Sequence, residues 1–70
     1  MAITFYIWKD DELSTPSKVV TYITDYLEKD KTGKIRIDGH GWRKCTLITS
    51  GPDKMECIAT AQKKITDNQI

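Results

Sequence analysis

The chain has 70 residues, enough for one small domain and too few for two. Its 39% apolar and 30% charged residues suit a folded globular chain rather than a disordered one, and no apolar run approaches the ~18 residues of a membrane span. The net charge of +1 excludes the strongly basic profile of a dedicated phosphate binder.

That charge is unevenly placed. Residues 1–30 carry three lysines against six acids, and residues 31–70 carry eight Lys or Arg against four acids. An acidic half and a basic half arise when different elements present differently charged solvated faces. They also arise when a surface complements a partner or a second copy of itself. The opening MAITFYIWKDDE sets three acids behind its apolar stretch and lacks a basic leader, which makes it a poor secretion signal. With two cysteines and no such signal, free thiols in a reducing, cytoplasmic setting are expected.

Residues 2–9 alternate, with Ile3, Phe5 and Ile7 on one face and Thr4, Tyr6 and Trp8 on the other, which predicts a strand. Residues 9–12 follow as a polar loop. Ser14-Thr15-Pro16 has the form of a helix start, a hydroxyl cap followed by proline in the first turn. Val19, Val20, Ile23, Tyr26 and Leu27 then lie at helical spacing, with Tyr22 at the margin of the stripe. Thr21, Thr24, Asp25, Glu28 and Lys29 fall on the wet side, and Gly33 supplies a stop.

Residues 34–38 alternate again with Ile35 and Ile37 facing inward, and residues 42–49 predict a further strand. The Asp38-Gly39 pair between them is a hairpin signal that places His40 at the tip. Residues 49–54 form a turn around Gly51-Pro52.

Residues 54–65 admit two readings. As a strand they would put Met55, Cys57, Ala59 and Ala61 on one side, in a hairpin with Leu47 opposite Met55 and Cys45 opposite Cys57. As a helix they would start at Pro52, carry Asp53 and Glu56 in the first turn, and end on lysines. The strand pairing is the more self-consistent of the two. The expected class is therefore α+β: one amphipathic helix packed on one face of a small antiparallel sheet. The expected order is β-α-β-β-β, with β-α-β-β-α as the alternative. Residues 1–70 form one domain, and the polar tail 62–70 is expected to fray.

Catalytic and cofactor chemistry find little support. His40, Cys45 and Cys57, with Asp38 as a fourth, lack the paired C-x₂₋₄-C or H-x₃₋₅-H spacing of structural zinc sites, so no metal is expected. A reactive thiol needs an adjacent base or positive field, whereas Lys44 and Cys45 would point to opposite faces of a strand. Asp10, Asp11 and Glu12 are explained as a solvated acidic run ahead of a helix. No phosphate-cradling or nucleophile-elbow motif is present. No enzyme activity, cofactor or small-molecule substrate is expected.

Binding accounts for more of the residues. Tyr6, Trp8 and Arg36 would share the sheet face left bare by a single helix, with Trp42, Arg43 and Lys44 at its edge. Large amphipathic aromatics rimmed by cations are common interface anchors, and an open edge strand invites pairing with another chain. The leading expectation is a small non-enzymatic regulator or inhibitor, of the sort carried by phages and mobile elements, that acts by protein–protein contact or self-association. The same aromatic and basic face would alternatively stack and hold single-stranded nucleic acid.

Overall fold

The computed structural model describes residues 3–69. Ala2, at the start of the expected first strand, and Ile70, in the expected tail, lie outside the described residues. In chain order the elements are β1 (Phe5–Asp10), β2 (Thr21–Thr24), β3 (Ile35–Ile37), β4 (Gly41–Arg43), β5 (Cys45–Gly51) and α1 (Lys54–Thr66). The class is α+β, with one amphipathic helix packed against antiparallel strands. A three-stranded sheet runs β2-β1-β5, and β3 and β4 form a separate two-stranded hairpin.

The helix, however, is α1 and not the expected helix between the first two strands. Val19-Val20-Thr21-Tyr22-Ile23-Thr24 is an unbroken run of β-branched and aromatic residues, which pack well on a pleated surface and lose χ1 freedom in a helix. The run pairs antiparallel with β1, Trp8 opposite Tyr22 and Tyr6 opposite Thr24. Ser14-Thr15-Pro16 belongs to a tight turn instead of a cap. Thr15 and Lys18 bond each other across Pro16-Ser17, Thr15 N–H to the Lys18 carbonyl at 2.7 Å and the reverse at 3.2 Å. Gly33 ends no helix but closes a turn around Asp30, whose Oδ1 accepts from the N–H groups of Thr32 and Lys34, both at 2.9 Å.

At the other end the helical reading of residues 54–65 is the correct one. Asp53 is the N-cap, its carboxylate accepting from Glu56 N–H at 3.1 Å, and Lys63 and Lys64 lie in the last turn, where the helix dipole favours cations. The polar segment from Gln62 is helical through Thr66. Gly51 permits the close junction between β5 and α1, because a Cβ there would sit 3.3 Å from Cys57 Sγ.

Two small cores lie on opposite faces of the three-stranded sheet. On one, Ile7, Ile48, Cys57 and Ala61 are buried where α1 packs on β1 and β5. On the other, Trp8 packs with Ile35 and Ile37 of the β3–β4 hairpin, bordered by Tyr6, Tyr22 and Cys45. Alternation in β1 sorts its residues between the two, Ile7 to the helix and Trp8 to the hairpin. Where β5 passes this point it carries a bulge: Ile7 pairs with Thr49 and Trp8 with Leu47, leaving Ile48 as the extra residue, buried beneath the helix.

Candidate functional site

Trp8 is not on an open face. It is 3% exposed, because the β3–β4 hairpin lies over the sheet face opposite the helix. Its indole N–H donates to Thr24 Oγ1 at 2.9 Å, and the Thr24 hydroxyl donates onward to the Tyr26 carbonyl at 2.8 Å. Every polar group of this buried pair is thus bonded, as a structural tryptophan requires. Tyr6 is half-buried with its ring stacked on Trp8 at 6.0 Å between centroids. The expectation that these aromatics face a partner is corrected on this geometry. The difference lies in the β3–β4 hairpin, a third layer beyond the one helix and one sheet that the sequence predicts.

Arg43 also turns inward. Its Nε donates to Asp10 Oδ2 at 3.0 Å, and the same oxygen accepts the Tyr22 hydroxyl at 2.6 Å. Asp10 Oδ1 accepts the N–H groups of Glu12 and Leu13, both at 2.8 Å. Asp10 is fully buried and is no part of a solvated run, while its neighbour Asp11 is exposed and takes the Thr46 hydroxyl at 2.9 Å. Burial raises the cost of ionising Asp10, but the bonds from Arg43, Tyr22 and the two backbone amides outweigh it and hold the carboxyl well below the usual carboxylate range. The hydrogen bond to Asp10, then burial, raise the Tyr22 phenol. The bond to Asp10 raises Arg43 as well. The period-two pattern was the available signal, since one more step beyond Tyr6 and Trp8 reaches Asp10 on the same face.

The two cysteines lie in different cores and are free, so the cross-strand pairing of Cys45 with Cys57 does not form. Burial, followed by the charges of Asp10 and Asp11, pushes the Cys45 thiol up to about 11, which leaves little thiolate at neutral pH. His40 is at the hairpin tip as expected, with Gly39 in the left-handed region at φ 81° and His40 N–H bonded to the Ile37 carbonyl at 3.0 Å. Its ring rests on Tyr22 at 5.0 Å. Among the described residues no group of three or more His, Cys, Asp or Glu is placed to hold a metal ion, and no helix is long and apolar enough to cross a membrane.

What remains at the surface is the outer side of the β3–β4 hairpin. Because Ile35 and Ile37 point inward, Arg36 and its cross-strand partner Trp42 point away from the core. Trp42 is 45% exposed. Arg36 is exposed and forms an ion pair with Glu28 at 3.3 Å. Lys44 lies exposed at the junction of β4 and β5, tied only through its carbonyl, which accepts Asp11 N–H at 2.8 Å. Of the six expected binding residues, then, the structure gathers Arg36, Trp42 and Lys44 on or beside one exposed element, buries Trp8, and turns the partly exposed Arg43 inward onto Asp10. Tyr6 lies at the margin of the buried cluster. No protein-family model matches this sequence, and no curated protein or solved structure is significantly similar to it.

Proposed function

We propose that this chain is a small, non-enzymatic, cytoplasmic regulator that acts by protein–protein contact, presenting the outer face of the β3–β4 hairpin to an acidic surface of its partner. The observation that carries this reading is Trp42, a large aromatic 45% exposed and paired across the hairpin with Arg36, on the face turned away from the buried Ile35 and Ile37. Tryptophan and arginine are the residue types most enriched among interface anchors. The hairpin also sits in a basic stretch: residues 29–44, which include the turn before it and Lys44 after it, hold six Lys or Arg against two acids, with Arg43 turned inward to Asp10, and this balance favours an acidic complement.

The test compares capture by the wild-type chain and by Trp42→Ala from a nuclease-treated lysate. A protein retained by the wild type and lost from Trp42→Ala supports the proposal. An identical set on both columns removes Trp42 as the anchor.

The same basic element gives single-stranded nucleic acid as the second reading, now with Trp42 as the stacking platform instead of Tyr6 and Trp8. It requires mixed oligonucleotides to bind at low salt and to dissociate steeply as salt rises. An absence of binding at low salt removes it.

A further inference from the structure

We propose that Asp38-Gly39, at the tip of the β3–β4 hairpin, is a site of spontaneous isomerisation, where the backbone is rerouted through the Asp38 side chain to give an isoaspartyl residue. The modification does not depend on the function proposed for the hairpin face, and its test reads chemistry and stability rather than capture.

The step needs an aspartate carboxyl that nothing holds, an unhindered amide nitrogen on the next residue, and room for both to move. Asp38 is exposed and joins no ion pair among the described residues. The next residue is glycine, so no side chain shields the attacking nitrogen. Gly39 N–H donates to no backbone carbonyl among the described residues, and nothing lies within 4 Å of where a Cβ on Gly39 would stand.

The other aspartates lack this combination. Asp10 is held by Arg43, Tyr22 and two backbone amides, and Asp11 by the Thr46 hydroxyl. Asp30 is tied to Thr32 and Lys34, and Asp53 to the Glu56 N–H that it caps. Asp25 and Asp67 precede Tyr26 and Asn68, whose side chains crowd the nitrogen, and Asn68 N–H is already bonded to the Ile65 carbonyl at 3.1 Å.

In the first step Gly39 N attacks Asp38 Cγ. The N–Cγ bond forms, the Cγ–OH bond breaks, and the amide proton leaves with the hydroxyl as water, closing a succinimide ring. Water then adds back at either ring carbonyl. Cleavage of N–Cγ restores aspartate, whereas cleavage between the nitrogen and the Asp38 main-chain carbonyl carbon leaves the chain running through Cγ. Nothing is oxidised or reduced, and water is the only co-reactant. The product carries an extra methylene in a turn that is closed by His40 N–H on the Ile37 carbonyl at 3.0 Å. Turn length fixes hairpin register. A lengthened turn therefore works against the pairing of Ile37 with Gly41 and of Arg36 with Trp42.

Ageing the purified chain for several weeks near neutral pH at body temperature tests the inference. The probe is an isoaspartyl-specific protein carboxyl methyltransferase with labelled S-adenosylmethionine, and peptide mass spectrometry locates the label. Label should accumulate with time at Asp38. Asp38→Glu should lose it while keeping the far-UV circular dichroism of the wild type, because the larger ring closes far more slowly. Asp38→Asn should gain it faster, since the same ring then forms by loss of ammonia. The isoaspartyl form, separated by chromatography, should unfold at lower urea than the fresh chain. An aged wild type that takes up no label overturns the inference, as does label spread equally over the other aspartates or retained in Asp38→Glu. An unchanged urea midpoint overturns the effect on the hairpin.

Discussion

Asp10 ends β1 with its side chain in the hairpin-side core, where two oxygens receive four hydrogen bonds. The pair with Arg43 links β1 to β4, the Tyr22 hydroxyl links β1 to β2, and the two amides fix the start of the following loop. Removing one partner of such a group leaves the other uncompensated in a buried site. Asp10→Asn is therefore expected to destabilise the fold by about 3 kcal/mol at pH 7 in urea titration. The sign of the pH dependence follows from the lowered carboxyl. The unfolded chain binds that proton near the ordinary value of about 4, the folded chain only below it. The contribution of Asp10 is thus complete above about pH 4 and lost as pH falls further. The stability gap between wild type and Asp10→Asn should narrow in acid, and a gap that stays constant from pH 7 down to strong acid would show that ionised Asp10 is not its source. None of this was visible in the run Asp10-Asp11-Glu12 taken alone, where three acids read alike. Only the alternation of β1 separates the buried one from the exposed two.

At the level of elements, the strands were legible wherever alternation and turn chemistry agreed. The Asp38-Gly39 hairpin stands where the pattern puts it, Ile35 and Ile37 face inward as expected, and β1 overlaps the strand expected over 2–9 but runs from Phe5 to Asp10, taking in the start of the expected loop. Over β2 the sequence is ambiguous, because Val19, Val20 and Ile23 fit a helical stripe and a strand equally well over so short a span. The β-branched content favours the strand. In the C-terminal segment the alignment of Cys45 with Cys57 across Gly51 points to a strand, whereas residues 54–66 are helical. The local signals at Pro52, Asp53 and Glu56 favoured the helix and were the better guide. That cap is a measurable feature of α1: Asp53→Ala should lower stability by about 1 kcal/mol, read as a shift in urea midpoint with the slope unchanged. No shift would mean that the first turn is held by packing of Cys57 alone.

For the molecule as a whole, the layer hidden from sequence reasoning was the third one. The alternation predicts strands over 34–38 and 42–49 in a single sheet, yet Ile37 pairs with Gly41 and Ile35 with Arg43 in a hairpin of their own, and the second stretch divides at Lys44 between β4 and β5. Nothing in a strand's alternation tells which sheet it joins, and this is why Trp8 passed for a surface residue. The consequence is a sheet sandwiched between α1 and the hairpin, with each core too small to persist alone in a chain that buries only about 60% of its unfolded surface. Stripping off either cover exposes one face of the central sheet and weakens the register that supports the other, so the layers should unfold together. The Trp42→Phe variant leaves Trp8 as the sole tryptophan, a fluorescence probe of the hairpin side, while far-UV ellipticity reports α1 on the opposite side. The two signals should share one urea midpoint. Ile35→Ala, which opens a cavity against Trp8, should move both midpoints downward together, by about 3 kcal/mol in stability. If Trp8 fluorescence instead changes at lower urea than the helix signal, the hairpin is a separable flap and the two cores are not coupled through β1.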